Sequence, residues 1–274
     1  MRSFKHQAIA EKAAAKIRDL LNVGRIDAGL ILGTGWGSSL KLDNQREVEF
    51  CQLPGFNGLR GIEGHARKVL VGELAGKTVA ALSGRVHLNE APSDPGLAAM
   101  VRLQTEMLIQ LGAQNLIVTC AAGALGRKFA IGNICVIDGF VTLYAPEMPL
   151  FAGEFCSPED TLDEHLRNLA FEAAFETEPR LAAGGGGHVM VRGPFFESRR
   201  YDKKLLEATG ASVVGMSVLP ECCVAALYPG TKILALALVT NSDVEEHSHE
   251  TNLERAKNSS AALGSYLRRI VSRL

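Results

Sequence analysis

The sequence lacks most of the features that place a protein at a glance. It carries almost no net charge, −1 from 29 Lys+Arg against 30 Asp+Glu, which supports neither a nucleic-acid surface nor an acidic tail. It has no CxxC pair; the 6 cysteines, at 51, 120, 135, 156, 222 and 223, follow no regular spacing. That pattern suggests neither a zinc site nor a disulfide framework, and leaves reduced, mostly buried thiols as the expectation. No apolar run approaches the ~20 residues that a membrane helix needs. The opening stretch MRSFKHQAIAEKAAAKIRDLL is too charged for a signal peptide and reads as an amphipathic helix. No shift in composition marks a linker, and no segment repeats. A cytoplasmic protein with one domain over 1–274 is the simplest expectation.

What is present is a large apolar fraction. Hydrophobic residues make up 47% of the 274 and charged residues 22%, enough for a substantial core and too apolar for disorder. Short apolar runs alternate with helical patterns. Ala28–Leu32 reads as a buried strand ending in GTGWGSS, whose glycines permit a sharp turn and expose consecutive N–H groups to an anion. Alone, this Gly-x-Gly-x-Gly pattern fits a dinucleotide or methyl-donor site equally well, with Glu47 or Glu49 as the ribose-binding acid. Strands are expected at Val69–Leu74 and Thr78–Leu82, joined by a turn at Ala75-Gly76-Lys77, and the second ends in Ser83-Gly84-Arg85-Val86-His87. Helical spacing covers Leu97–Leu111, and Asn115–Val118 is another buried strand, ending in small residues that permit close approach by a ligand.

Further along, Ile134–Leu143 reads as a strand and Tyr144–Asp163 as an irregular covering segment, with a helix at Leu166–Phe175. Gly184–Gly187 reads as a flexible turn before a strand at His188–Val191. The stretch from Val191 to Glu221 then twice brings a buried strand to a polar loop: once at Gly193-Pro194 with Glu197 beside two phenylalanines, and once at Met216-Ser217 before a helix at Leu219-Pro220-Glu221. Lys232–Val239 is a strongly apolar strand ending in Thr240-Asn241, and one helix is expected over Thr251–Arg273. The alternation predicts an α/β fold, a single domain with a central mixed, mostly parallel β-sheet flanked by helices. In such sheets ligands sit at strand ends. The polar residues at those ends are Thr34, Arg85, His87, Glu197, Ser217 and Asn241, joined by Ala121 and Met216. Guanidinium, imidazole, hydroxyl and backbone donors suit an oxyanion, while Glu197 and Asn241 suit the edge of a heterocycle.

The segments LILGTGWGSSL, LPGF with GHARKVLVGELAGKTV, SGRVHLNEA, LIVTCAAGALG, GPFFES, GASVVGMSVLPE and LVTN, in this order from residue 30 to residue 241, resemble the trimeric purine nucleoside phosphorylases and the related methylthioadenosine phosphorylases. The resemblance implies attack of phosphate on C1′ of a purine nucleoside, releasing free base and ribose 1-phosphate, with no metal or organic cofactor. By the same resemblance Thr34, Arg85, His87, Ala121 and Ser217 hold phosphate, and His65 closes over it. Met216 packs on the ribose, Phe196 and Glu197 hold the base, and Asn241 stabilises the leaving purine. His87, Glu197 and Asn241 are the implied catalytic residues.

The chain departs from the family pattern at several points. Asn89 stands where an aromatic residue usually contacts ribose, Phe195 adds bulk beside Glu197, and Cys120 replaces a common asparagine. The segment after LVTN is short, so His247 or His249 is the candidate for the 5′-hydroxyl, with His249 preferred because HETNLERA resembles the start of the last family helix. Glu197 with Asn241 matches a 6-oxopurine, since the carboxylate accepts from N1–H; Asp243 is a weaker signal toward methylthioadenosine. A relative that binds base and phosphate without turnover is a further alternative. The family is typically a homotrimer in which a neighbour's phenylalanine covers the ribose, here Phe151 or Phe155. No nucleic-acid or membrane partner is expected.

Overall fold

The computed structural model describes residues 4–59, 66–90, 94–151, 153–193, 197–198, 200–242 and 248–274, with the backbone alone for Phe4, Lys5 and His249. In chain order the elements are α1 (Phe4–Leu21), β1 (Ala28–Leu32), β2 (Asp43–Glu49), β3 (Lys68–Leu74), β4 (Lys77–Ser83), α2 (Pro95–Gln110), β5 (Asn115–Ala124), β6 (Ile134–Val141) and α3 (Glu164–Glu176). They continue with β7 (Ala183–Met190), α4 (Asp202–Ala208), β8 (Val213–Gly215), α5 (Leu219–Ala225), β9 (Lys232–Asn241), α6 (His249–Asn258) and α7 (Ser260–Val271).

The sheet is mixed, in the order β2-β3-β4-β1-β5-β8-β7-β6-β9, and β9 returns to pair with β5. One end is therefore an open sheet, while β5, β8, β7, β6 and β9 form a closed ring. β4, β1, β5 and β9 run parallel to one another, so their C-terminal ends share one edge. β8 crosses the end of β5 antiparallel, with Gly123 opposite Val214, at the point where the β5–β9 register shifts between Ala122 and Gly123. A bulge of this kind bends a strand and re-aims the residues beyond it.

Successive residues of the central strands face opposite sides, as the pleat requires. Ile31, Val118 and Val239 pack with α1, α2 and α5, whereas Leu30, Leu32, Ile117 and Leu236 pack with α3 and α7. Burial on both faces explains the continuous apolar runs in the sequence. Among the described residues no helix is long and apolar enough to cross a membrane.

Three local expectations are corrected. Gly184–Gly187 is not a turn but lies inside β7, paired in parallel with β6 from Cys135 to Gly139. Packing demands the small residue there: a Cβ on Gly186 would fall 2.8 Å from the Ser212 side chain. β2, DNQREVE, was not expected as a strand, because only Val48 of it is buried and an exposed edge strand shows no apolar alternation. The expected C-terminal helix is divided at Ser259 into α6 and α7.

Candidate active site

The shared edge of the parallel strands opens into a cavity of about 460 Å³. Gly33 and Thr34 follow β1, while His87, Asn89 and Glu90 follow β4. Cys120 to Gly123 come from β5, Val214 to Ser217 from the end of β8, Thr240 and Asn241 from β9, and Asn252 from α6; Glu197 also lines the cavity. Residues up to 219 positions apart in sequence, Gly33 and Asn252, thus share one wall.

Side-chain to backbone bonds hold the segments at the ends of β1, β4 and β5 in place. The Thr119 hydroxyl accepts from Gly33 N–H at 3.0 Å, and the indole N–H of Trp36, fully buried, donates to the Cys120 carbonyl at 3.0 Å. Gln104 on α2 clamps Val86 from both sides, accepting from its N–H at 2.8 Å and donating to its carbonyl at 3.1 Å. His87 N–H donates to Glu90 Oε1 at 2.8 Å, and Glu90 Oε2 pairs with Arg67 at 2.5 Å. The turn bearing His87 is therefore fixed by two independent ties. Immediately after Ser217, Val218 adopts φ 81°, which β-branched residues rarely do. Strain of this kind concentrates at functional sites.

Arg85 differs from the expectation. It is 1% exposed and does not line the cavity; its guanidinium pairs with Glu221 at 2.6 Å and donates to the carbonyls of Thr119 and Ile31. A charge at a strand end and a carboxylate at the start of α5 neutralise each other in the low-dielectric interior, which sequence spacing did not reveal. Arg85 stands directly behind Gly33, with Nη2 3.2 Å from where a Cβ of Gly33 would lie.

On the opposite side, Asn241 Oδ1 lies 3.2 Å from the Thr240 hydroxyl, and Nδ2 lies against Gly123, where a Cβ would come within 2.7 Å. Glu197 is half-buried, and burial raises its carboxyl pKa, opposed by a backbone hydrogen bond and by Lys203. Asn89 Oδ1 accepts from Gly193 N–H at 3.3 Å, tying the turn after β4 to the segment after β7. Burial pushes the Cys120 thiol up to about 12, so it meets the cavity as a neutral group. Beneath Gly215, His188 is fully buried with neither ring nitrogen bonded among the described residues.

Of the residues expected at the site, Thr34, His87, Asn89, Ala121, Glu197, Met216, Ser217 and Asn241 line one cavity. His65 and Phe196 lie outside the described residues, as do Phe195, Asp243 and His247; His249 opens α6, with its side chain outside them. The sequence reading missed Glu90, Thr240 and Asn252. Glu90 sits inside the quoted SGRVHLNEA segment, Thr240 inside LVTN and Asn252 inside HETNLERA, so all three were within reach. Among the described residues no group of three or more His, Cys, Asp or Glu is arranged to hold a metal.

This arrangement has close parallels. The sequence model of the phosphorylase superfamily matches residues 27–272, and the chain belongs to that family. The purine nucleoside phosphorylase of Rattus norvegicus is 30% identical over 85% of this chain and 84% of its own. That of Mycobacterium tuberculosis is 30% identical over 97% of this chain and 96% of its own. Two solved structures of purine nucleoside phosphorylase from Schistosoma mansoni each cover 97% of this chain, which covers 96% of theirs, at 26% identity. The isoform 2 complex with cytosine and ribose-1-phosphate superposes with a TM-score of 0.84, and a complex with inosine with 0.83. The class is thus an α/β pentosyltransferase, and the relatives that stand beside this chain are purine nucleoside phosphorylases.

Proposed function

We propose that this chain cleaves purine nucleosides by phosphorolysis and prefers 6-oxopurines such as inosine and guanosine. The observation that carries the reading is one cavity that joins Thr34, His87, Ala121 and Ser217 to Glu197 and Asn241. Thr34, Ser217, His87 and the Ala121 N–H hold phosphate under C1′, while Arg85, paired with Glu221, braces the backbone behind Gly33 and His65 closes over the anion. A phosphate oxygen forms its bond to C1′ as the bond from C1′ to N9 breaks, and the electron pair leaves with the purine. Charge builds on the departing ring, where preorganised donors lower the barrier most.

Asn241 supplies such a donor. Its Oδ1 accepts from the Thr240 hydroxyl, and its Nδ2 is a donor of the type that suits the O6 and N7 acceptors of a 6-oxopurine. Glu197 accepts from N1–H, Phe196 stacks on the base, and Met216, Asn89 and His249 contact the sugar. The chemistry needs no cofactor, since phosphate is a co-substrate. In a homotrimer Phe155, 93% exposed, is the ring that reaches a neighbour's ribose. Phe151 is engaged within its own chain, stacked on His6 at 4.6 Å and under Arg102. The cytoplasm is the proposed location.

A nucleoside panel with and without phosphate tests the reading: hypoxanthine and guanine should appear only when phosphate is present. No release from either nucleoside would overturn it. Asn89, bound to Gly193 rather than carrying a ring, favours a second reading with an altered sugar, which preferential cleavage of methylthioadenosine in the same panel would establish. Asn241→Asp should move preference toward 6-aminopurines, and an unchanged ratio counts against the leaving-group role.

A further inference from the structure

A lysine that the cavity does not expose ties together the two residues assigned to the base. Lys203 on α4 is 2% exposed, and lysine is almost never buried without a compensating partner. Its Nζ donates to the Ser242 carbonyl at 3.3 Å, one residue beyond Asn241. Its backbone N–H donates to the Ser198 carbonyl at 3.1 Å, one residue beyond Glu197. Ser198 is itself locked to the start of α4: its N–H donates to Asp202 at 2.9 Å, and its hydroxyl accepts from Asp202 N–H at 3.0 Å. One residue therefore reaches both chain segments that meet at the base edge, by its main chain on the Glu197 side and its ammonium on the Asn241 side.

The charge matters as well as the bond. Glu197 loses hydration in the cavity wall, and Lys203 and Asp202 act on it in opposite directions, the lysine favouring the carboxylate and the aspartate opposing it. Asp202 spends its own carboxylate on the Ser198 N–H, whereas the ammonium is a compact point charge whose effect grows as a bound base excludes water.

We propose that Lys203 is a positioning residue for base recognition: its buried ammonium, anchored on the Ser242 carbonyl, sets the spacing between Glu197 and Asn241 and supplies the positive charge that the desolvated carboxylate needs. This rests on the reading of Glu197 and Asn241 as the residues that hold the purine. A residue that only stabilised the fold would alter every kinetic constant through the amount of folded enzyme. Lys203 instead acts on the nucleoside and leaves phosphate alone.

The test compares wild type with Lys203→Met and Lys203→Arg. In the methionine variant kcat/KM for inosine should fall about tenfold or more, as for loss of a hydrogen bond to a charged group, while KM for phosphate stays within about twofold. The acid limb of the inosine pH profile should move to higher pH, because Glu197 loses its cation, and the arginine variant should recover most of both effects. An unchanged inosine KM and pH profile in Lys203→Met overturns the proposal, as do equal losses for inosine and phosphate that track a lower Tm. The shift in Tm produced by hypoxanthine is measured alongside, so that turnover is not the only readout. Should wild type fail to cleave inosine, the functional reading fails. The lysine is then judged on that shift alone: a shift that Lys203→Met diminishes supports it, and one that survives unchanged, or is absent in wild type, overturns it.

Discussion

The two sides of the cavity are built differently. The side that carries Gly33, Thr34, His87 and Ala121 sits on β1, β4 and β5 in the middle of the sheet. It is held from behind by fully buried groups: Gln104 on Val86, Trp36 on Cys120, and Arg85 on Glu221. The side that carries Glu197, Asn241 and Asn252 uses chain that has left the sheet or is about to. It is held by side chains spanning separate segments: Lys203 to Ser242, Asn89 to Gly193, and Arg255 to the Thr240 carbonyl at 2.9 Å. In the function proposed above, the anion common to every substrate falls to the first, rigid side, and the variable base and sugar fall to the second, adjustable one.

Breaking the rigid side should give the largest effect. Glu221→Leu leaves Arg85 charged and buried without its carboxylate, which costs about 3–5 kcal/mol of stability and lowers Tm by roughly 10 °C. A scanning-calorimetry Tm within about 2 °C of wild type would contradict the structural weight given to that pair. On the adjustable side, Glu197→Ala should reduce kcat/KM for inosine by about 2–4 kcal/mol with phosphate binding retained. Equal losses for every base would remove Glu197 from base recognition.

His188, buried on β7 beneath Gly215, sharpens the comparison through pH. Burial lowers its pKa from 6.5 to about 4. Below pH 6.5 the unfolded chain binds a proton that the folded chain refuses, so stability is full above that pH and falls as pH drops toward 4. The loss approaches about 3 kcal/mol at the lower limit, at 1.36 kcal/mol per pKa unit. Urea midpoints between pH 7 and 4.5 should show this slope in wild type and a shallower one in His188→Phe; identical slopes would dismiss it. The smallest effect is expected at Asn89. Its replacement by Ala removes one neutral hydrogen bond and should raise KM for the nucleoside by about 1 kcal/mol, with phosphate KM unchanged. A rise in phosphate KM instead would place Asn89 on the rigid side.

Much of this was legible in the chain because its chemistry is local. Buried parallel strands write themselves as apolar runs, and the glycine-rich or polar residues that end them mark where a ligand approaches. Thr34, His87, Ser217 and Asn241 could therefore be picked out before any strand was paired. Arg85 was picked out equally well and placed differently, since a guanidinium beside a glycine loop reads as an anion ligand until Glu221, 136 positions away, is seen to meet it. The glycines of β7 misled for a related reason: Gly186 is required by Ser212 on a neighbouring segment, which no window around residue 186 contains.

What the amino-acid sequence determined by itself is the class of fold, the strand ends and the residue types offered there, because hydrophobic period and turn chemistry act over a few residues. What only the tertiary structure decided is which of those residues face the cavity and which stand behind it. The ring closed by β9 on β5 brings Asn241 to Gly123, and the buried partners of Arg85 and Lys203 come from other elements. A charge is steered by whatever meets it in the folded interior, and sequence neighbours carry no record of that meeting.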